Sequence, residues 1–314
     1  MARPRAIFFG TPEFAVPTLR ALADIAQVVQ VVTQPDRPKG RGMKLAPPPV
    51  KVLALELGIP VVQPTKVRTV DFAESLRALQ ADVAVVVAYG RILPAGVLAA
   101  PRLGCVNVHA SLLPKLRGAA PIQWAIVRGE RETGVCLMCM DEGLDTGPVF
   151  ARRSLEIGAD ETSAQLAERL SALGAELLRD ELPPYLAGER SAVPQVHALA
   201  TLAPILRKED GAVDWSRPAA AIHDLVRGFS PWPSAYTFLG GLRLKLHRTQ
   251  LADERAGNTP GEVLSADREG IVVACGEGAL RLLEVQAEGA RRMTGGEFVA
   301  GHPVPAGSKL QSAV

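Results

Sequence analysis

Three polar residues in an apolar part of the chain could support acyl-transfer chemistry: Asn107, His109 and Asp145. Residues alternate in the run CVNVHAS (105–111), so on a strand the Asn107 and His109 side chains point to the same face. Asp145 follows in GLDTGP, and a glycine-bounded loop suits a carboxylate that orients an imidazole. An amide donor, an imidazole and a carboxylate could together stabilise a tetrahedral oxyanion and move its protons. We therefore predict that Asn107, His109 and Asp145 are catalytic.

The kind of acyl transfer depends on the nucleophile. A histidine between apolar residues is more often a hydrogen-bonded core residue than a catalyst, and the nearby amide and carboxylate favour the catalytic interpretation of His109. No serine or cysteine is evidently paired with a base, which favours direct transfer to an external nucleophile and leaves a covalent acyl-enzyme open.

Cys136 and Cys139 form a C-x-x-C, but on a strand they point to opposite faces and no second ligand pair follows. We expect no metal site.

Length and composition indicate an ordinary globular protein. The chain of 314 residues suits two domains, and 47% hydrophobic with 22% charged residues excludes a disordered chain. A net charge of +2 is too small for nucleic-acid binding over the whole surface, so such binding needs a local basic patch. No apolar run reaches the length of a membrane span, and we expect no signal peptide. Four cysteines in apolar contexts suit a reducing compartment, which predicts a cytoplasmic protein.

The elements that must position these residues follow a βαβ pattern. Apolar runs that alternate with helical patterns predict strands at AIFFG (6–10), VVQVVTQ (28–34), ADVAVVVAYG (81–90) and CVNVHAS (105–111). The run over 81–90 is continuously apolar, which predicts a central parallel strand buried on both faces. Ligands of doubly wound sheets bind beyond the carboxyl ends of the strands. The predicted fold is therefore α/β and Rossmann-like, with the ends of three strands converging on one crevice.

The second half of the chain changes character twice. A long helix is predicted over 161–182, where Pro183 and Pro184 should end it. Residues 189–206 have no periodic pattern and are predicted to be a linker. Beyond them, short alternating segments with turn signals indicate a small C-terminal β-barrel of the OB-like kind. We therefore expect a catalytic domain over 1–188 and a barrel domain over 207–314.

Six segments of the chain resemble the signature segments of the methionyl-tRNA formyltransferase family, in order and over nearly the whole length. They are FFGTPEFAVPTL (8–19), RPKGRGMKLAPPPVK (37–51), NVHASLLPKLRGAAPIQ (107–123), MDEGLDTGPV (140–149), KEDGAVDW (208–215) and FSPWPSAYT (229–237). The Asn-x-His pair with an Asp alone would fit any folate-dependent formyltransferase, and the other segments narrow the resemblance. It implies formyl transfer from 10-formyltetrahydrofolate to the α-amino group of methionine on the initiator tRNA.

The resemblance also implies roles for individual residues. Asn107, His109 and Asp145 match the family's catalytic positions. The resemblance implies that two segments bind folate. The family's own folate-binding motif corresponds to Ser111, Leu112, Leu113 and Pro114. A segment that lines the folate site in the wider formyltransferase group corresponds to Arg91, Ile92 and Leu93. An apolar wall of this kind suits an aromatic cofactor. Leu116 departs from the pattern, since many relatives have Trp before Arg-Gly, and this difference concerns local packing rather than the chemistry.

A basic segment follows the second predicted strand. Between Asp36 and Glu56 it carries no acidic residue and five basic ones, Arg37, Lys39, Arg41, Lys44 and Lys51. Such a charge run is commonly a solvated surface loop. This one leaves the carboxyl edge of the predicted sheet, beside the crevice. The resemblance implies that the family uses the loop for tRNA, and we predict that Arg37, Lys39, Arg41 and Lys44 contact phosphates.

Two other functions stay open. A formyltransferase that acts on glycinamide ribonucleotide or a sugar amine would share the Asn-x-His pair, although the former needs neither the basic loop nor a large C-terminal module. A tRNA-binding protein without catalysis would explain the loop and the barrel, but it would leave His109 and its neighbours without a role. We favour the formyltransferase, with initiator methionyl-tRNA and 10-formyltetrahydrofolate as partners, no membrane contact and a monomeric state.

Overall fold

The computed structural model describes residues 3–39, 44–253 and 259–312. The chain divides into two compact units, and each unit is assembled from several segments. The first unit holds Met1–Gly118, Glu132–Leu155 and Ala167–Ala203. The second unit holds Ala119–Arg131, Glu156–Leu166 and Pro204–Val314.

The strands and helices have the following bounds. The strands are β1 (Arg5–Gly10), β2 (Gln27–Val32), β3 (Arg37–Lys39), β4 (Lys44–Ala46), β5 (Val61–Val62), β6 (Val83–Val87), β7 (Cys105–His109), β8 (Arg117–Gly118), β9 (Glu132–Cys139), β10 (Val149–Glu156), β11 (Leu202–Ala203), β12 (Ala235–Leu239), β13 (Leu242–Ala252), β14 (Val263–Asp267), β15 (Gly270–Ala274), β16 (Ala279–Ala287), β17 (Met293–Thr294) and β18 (Leu310–Gln311). The helices are α1 (Val16–Ile25), α2 (Pro49–Glu56), α3 (Val70–Arg77), α4 (Ala95–Leu98), α5 (Pro121–Val127), α6 (Ser163–Leu186), α7 (Ala219–Gly228) and α8 (Gly295–Gly301). Among the described helices, none is both long and apolar enough to cross a membrane.

The first unit is built on a seven-stranded sheet with the strand order β10-β9-β7-β6-β1-β2-β5. Parallel pairs join β5, β2, β1, β6 and β7, whereas β9 runs antiparallel to β7. The valine-rich β6 lies in the middle and is buried along its whole length, as predicted for the run over 81–90. β-Branched side chains pack well on a pleated surface that is covered on both faces. The predicted α/β, mostly parallel sheet is confirmed.

The carboxyl ends of β1, β6 and β7 lie along one edge of this sheet, because the three strands are parallel neighbours. Side-chain hydrogen bonds tie the residues that follow β1, β2 and β6 into a rim. Both Thr11 Oγ1 and Gln34 Nε2 donate to the carbonyl oxygen of Tyr89 at 3.1 Å. The Tyr89 ring is almost fully buried and packs edge to face on Phe9, with the ring centroids 5.4 Å apart. This rim is where a doubly wound sheet binds its ligands.

The long helix differs from the prediction at its carboxyl end. We expected Pro183 and Pro184 to end it, but α6 continues through both prolines to Leu186. Because a proline has no backbone N–H, the carbonyls of Arg179 and Asp180 lose their helical partners. Both of these residues are exposed, so water can donate to the freed carbonyls and the helix tolerates the prolines.

The second unit is built on an antiparallel sheet with the strand order β14-β15-β16-β13-β12-β18, and β17 pairs with β16 beside this path. The two edges of the sheet meet where Glu262, just before β14, bridges Lys309, just before β18. The sheet therefore curls around its own core. Trp215 lies in that core, and its indole N–H donates to Thr237 Oγ1 at 3.0 Å. The predicted small antiparallel barrel is confirmed.

Candidate active site

Strand β7 carries Asn107 and His109 at its carboxyl end. Because side chains alternate along a strand, these two share a face of the sheet. His109 is 6% exposed, whereas Asn107 is partly exposed. Among the described residues, none forms a hydrogen bond with the Asn107 side chain. Its amide can therefore donate to a ligand.

Each ring nitrogen of His109 faces an oxygen atom. Nε2 lies 3.2 Å from the backbone carbonyl oxygen of Leu116, and Nδ1 lies 3.7 Å from Oδ2 of Asp145. The first distance is that of a hydrogen bond, whereas the second is too long for one. A neutral ring has one N–H and can donate to the Leu116 carbonyl, while a protonated ring has an N–H on both nitrogens. The site can therefore hold an imidazolium between a carbonyl and a carboxylate.

Asp145 is held by backbone contacts in an uncommon conformation. Its Oδ2 accepts a hydrogen bond from the Gly118 N–H at 2.8 Å. The φ angle of Asp145 is 51°, and that of Leu116, whose carbonyl faces His109, is 58°. Such left-handed conformations cost a non-glycine residue about 1–3 kcal/mol and cluster at functional sites. Two strained residues therefore flank His109, and the surrounding structure must hold both.

The segment Ser111–Pro114, where folate binding is predicted, divides into supporting and accessible side chains. Ser111 is fully buried, and its Oγ donates to the Lys115 carbonyl at 2.7 Å, which shapes the loop. Leu113 is also buried, at 1% exposure. Leu112 and Pro114 keep part of their surface exposed. A ligand can therefore contact Leu112 and Pro114, while Ser111 and Leu113 support the loop from within.

The second predicted folate segment lies on the rim after β6. Arg91 is fixed by Gln34, because its Nε donates to the Gln34 Oε1 at 3.1 Å. Leu93 is 4% exposed, whereas the apolar side chain of Ile92 is 68% exposed. Ile92 borders cavities of about 460 and 530 Å³, and Glu142 of the Asp145 loop also lines the larger one. These volumes are in the range of small-molecule sites, and an exposed isoleucine is surface that such a ligand would cover.

The basic segment contains a hairpin where the sequence suggested a plain loop. Strands β3 and β4 pair antiparallel, with Arg37 opposite Ala46 and Lys39 opposite Lys44. The Arg37 side chain is exposed. The side chains of Lys39 and Lys44, and the whole of Arg41, lie outside the described residues. Of the four predicted phosphate contacts, the structure therefore describes the side chain of Arg37.

Lys51, the fifth basic residue of this segment, already has an acidic partner. Its Nζ lies 2.9 Å from both carboxylate oxygens of Asp36 and 2.8 Å from Oε1 of Gln63. Hydrogen bonds from the Gln63 amide and from Lys51 hold the pKa of the Asp36 carboxyl below its usual range. Lys51 thus anchors the base of the hairpin.

The sequence patterns did not identify three residues of this site, Arg117, Gln195 and Thr201. Arg117 and Gln195 are 6% and 8% exposed, and the guanidinium Nη2 donates to the Gln195 Oε1 at 2.7 Å. Thr201 Oγ1 accepts a hydrogen bond from the Leu116 N–H at 2.9 Å. Gln195 and Thr201 belong to the segment predicted as a linker, whose lack of periodicity gave no signal of burial or pairing.

Comparisons with known proteins agree with this fold. A family model described as formyl transferase matches residues 5–182, and a model for the formyl transferase C-terminal domain matches residues 205–303. These matches define the class, an enzyme fold with an N-terminal and a C-terminal formyl transferase part. The methionyl-tRNA formyltransferase of Myxococcus xanthus is 56% identical over 98% of both chains, and that of Geobacter sulfurreducens is 52% identical over 100% of this chain and 98% of its own. The chain belongs to the methionyl-tRNA formyltransferase family.

Solved structures share the fold at much lower identity. HypX from Aquifex aeolicus, in complex with tetrahydrofolic acid, superposes with a TM-score of 0.62 at 18% identity over 95% of this chain. The chain spans about half of HypX, 47% of its length. The N-formyltransferase from Helicobacter canadensis, in complex with folinic acid and dTDP-3-aminofucose, has a TM-score of 0.68 at 17% identity over 93% of this chain and 100% of its own. At these identities the likeness concerns the fold.

Proposed function

We propose that this chain transfers a formyl group from 10-formyltetrahydrofolate to the α-amino group of methionine on initiator methionyl-tRNA, for the initiation of translation. The observation that carries the proposal is the 56% identity with a methionyl-tRNA formyltransferase over 98% of both chains. The match covers 98% of the chain and therefore extends over both units. Among the described residues, no group of three or more His, Cys, Asp or Glu side chains is placed to hold a metal ion.

In the proposed reaction the neutral methionyl amine attacks the formyl carbon, and a C–N bond forms while the carbonyl oxygen becomes an oxyanion. The bond from that carbon to the N10 nitrogen of the donor then breaks, and the proton that leaves the amine ends on N10. Asn107 donates a hydrogen bond to the oxyanion from its side-chain amide. One such donor typically contributes about 10²–10³ in rate. Correct placement of the two reactants contributes several kcal/mol more.

His109 and Asp145 act as a pair in this mechanism. Nδ1 of His109, which is too far from Asp145 for a hydrogen bond, carries the proton between the amine and the leaving nitrogen directly or through an ordered water, and the positive charge of the protonated ring assists Asn107 at the oxyanion. Asp145 lies 3.7 Å from the ring and stabilises the imidazolium through its negative charge. The support for these roles is geometric, since all three side chains are carried at or beside the end of one strand.

The formyl donor has a suitable surface on the same rim. The faces of its bicyclic pterin can pack on apolar side chains, and the partly exposed Leu112 and Pro114 and the 68% exposed Ile92 offer such contacts. Ser111, Leu113, Arg91 and Leu93 complete the two proposed folate segments, largely as supports. These residues hold the donor and exclude water from its formyl group.

The tRNA is proposed to bind outside the folate site. Arg37, Lys39, Arg41 and Lys44 on and beside the β3–β4 hairpin supply positive charge for phosphates, which fixes position rather than reading bases. The barrel of the second unit provides further tRNA-binding surface. We also propose that the protein works as a monomer in the cytoplasm, where charged tRNA and the folate donor are found together.

A discontinuous formylation assay tests the proposal. The protein is incubated with 10-formyltetrahydrofolate and one of three acceptors: methionine-charged initiator tRNA, methionine-charged elongator tRNA, or a small amine such as glycinamide ribonucleotide or an amino sugar nucleotide. We expect formylation of the initiator tRNA alone. Formylation of a small amine would support the alternative enzyme, and tRNA binding without any turnover would support a binding protein.

A further inference from the structure

The segment 195–203 connects the two regions that the family models match, yet within the first unit it is built against the catalytic residues. Its strand β11 pairs in parallel with β8. The Thr201 carbonyl accepts the Arg117 N–H at 2.8 Å, and the Thr201 Oγ1 accepts the Leu116 N–H at 2.9 Å. Leu116, which precedes β8, places its carbonyl oxygen against His109, and Gly118 of β8 donates its N–H to Asp145. The segment therefore supports the backbone against which these catalytic side chains are held.

Gln195 binds the Asp145 loop on one side and Arg117 on the other. Its Nε2 donates to the carbonyl oxygens of Asp145 and Gly147 at 2.9 and 2.7 Å. Its Oε1 accepts hydrogen bonds from Nε and Nη2 of Arg117 at 3.1 and 2.7 Å. The amide thus uses both of its N–H groups and both lone pairs. A fully satisfied, buried amide fixes the loop in one arrangement, including the left-handed backbone of Asp145.

Arg117 makes this contact at an energetic cost. The guanidinium is buried, and it forms no ion pair with any carboxylate in the described part of the chain. Its partners are the Gln195 amide and Nδ1 of His197, which lies 3.3 Å from Nη1. Burial of a cation among neutral acceptors is expensive compared with an apolar side chain of similar size. Such an arrangement is typical of a residue retained for geometry rather than for stability.

We propose that Gln195 and Thr201 are positioning residues for formyl transfer. Gln195 fixes the backbone of Asp145, and Thr201 fixes Leu116, whose carbonyl oxygen orients the His109 ring. The inference rests on the proposed function, because formyl transfer is the reaction that it concerns. Loss of a residue that orients a catalytic group typically lowers activity by about 10–100-fold, and a misplacement of about 1 Å has a similar effect.

Gln195→Met is the first test, because it keeps the side-chain length and removes the four hydrogen bonds. We expect kcat in steady-state formylation to fall by about 10–100-fold, with the KM for charged initiator tRNA and the Kd for tetrahydrofolate within about twofold. Gln27→Met is the control. Gln27 lies in the same unit, but at the amino end of β2, at the end of the sheet away from His109, where its Oε1 accepts a hydrogen bond from Arg5 Nη1 at 3.5 Å. The control should keep the wild-type kcat.

A double-mutant cycle separates positioning from general destabilisation. If Gln195 acts through Asp145, then Gln195→Met combined with Asp145→Asn should lower kcat by less than about threefold beyond Asp145→Asn alone. A merely structural role would let the two losses multiply, and that result would overturn the proposal for Gln195.

Thr201 keeps the proposal testable if Gln195→Met fails to fold, because its side chain is exposed. We expect Thr201→Val to lower kcat about fivefold, the value of one neutral hydrogen bond, and Thr201→Ser to restore it. Equal kcat values for the valine and serine variants would overturn the positioning role. A wild-type protein that does not formylate charged tRNA would instead contradict the proposed function, so the two failures are distinguishable.

Discussion

The Asp145 carboxylate lies 3.7 Å from Nδ1 of His109 but takes its 2.8 Å hydrogen bond from the Gly118 N–H. The backbone of Gly118 therefore positions this carboxylate, and the His109 ring contributes little to its position. A carboxylate held in this way is ready to stabilise a proton that arrives on the ring during the reaction. This relationship makes the backbone of β8 as relevant to the site as the side chains themselves.

The charge of Asp145 can be removed with little change of shape. In Asp145→Asn the amide oxygen can still accept the Gly118 N–H, so the loop should keep its conformation. We expect kcat to fall by about 10² or more, because an imidazolium would then face a neutral group, while the folate Kd stays nearly unchanged. Steady-state formylation kinetics and equilibrium folate binding check this. A kcat within about threefold of the wild type would contradict the electrostatic role.

Gly118 has no room for a side chain. Its φ is 120°, and an added Cβ would lie 2.6 Å from the carbonyl oxygen of Ala203 on β11. We expect Gly118→Ala to separate β8 from β11, to destabilise the fold by about 1–3 kcal/mol and to lower kcat, because the N–H that holds Asp145 moves. Chemical denaturation and formylation rates measure the two effects.

Gly188→Ala is the matched control for this backbone effect. Gly188 also has a positive φ, 79°, but an added Cβ there would have no neighbour within 4 Å. It should cost about 1 kcal/mol of stability and leave kcat unchanged. If both alanine variants lost stability equally and kept full activity, the link between β8 and Asp145 would be refuted.

The basic hairpin should contribute to the binding of tRNA and not to the binding of folate. Arg37→Ala and Arg41→Ala are each expected to raise the KM for charged tRNA by about 3–10-fold and to reduce the salt dependence of tRNA binding by about one phosphate contact. Arg20→Ala removes an exposed cation on α1 and serves as the control. Steady-state kinetics at several salt concentrations provides the measurement. An unchanged KM for tRNA in both hairpin variants would exclude the proposed role.

One carboxylate gives the fold a predictable pH dependence. Asp82 accepts the Arg5 backbone N–H at 2.8 Å and the Arg102 guanidinium at 2.9 Å, and these hydrogen bonds hold the pKa of Asp82 below its usual range. A lowered folded-state pKa means that the charged group stabilises the fold above its unfolded pKa of about 3.9, and that this contribution disappears as the pH falls through the folded value. Asp82→Asn should therefore lower Tm at neutral pH and have little effect near about pH 2. An equal Tm difference at both pH values would contradict the assignment.

Local patterns predicted much of the fold. Alternation in CVNVHAS placed Asn107 and His109 on one face of β7, and the continuous apolar run over 81–90 predicted the central strand β6. The short segments after Pro204 predicted the barrel. In each case the element is determined by the alternation or run of apolar residues within a short segment, so the sequence shows it directly.

Contacts between distant segments could not be predicted in this way. Arg117 and Gln195 are 78 residues apart, and nothing in an aperiodic segment shows that its glutamine is buried against a distant arginine. The continuation of α6 through Pro183 depends on exposed carbonyls that water can satisfy, which is a tertiary property. The positive φ of Asp145 likewise results from the contacts that surround its loop. These are the features that arrange the candidate site around the predicted residues.

The most direct test of the account is single-turnover formylation of methionine-charged initiator tRNA by the wild type and by His109→Ala. The wild type should transfer the formyl group from 10-formyltetrahydrofolate. His109→Ala should lower the rate by at least about 10²-fold with the folate Kd nearly unchanged, because the residue moves protons and assists the oxyanion rather than holding the donor. A near-wild-type rate in His109→Ala would contradict the assignment of the chemistry to the end of β7.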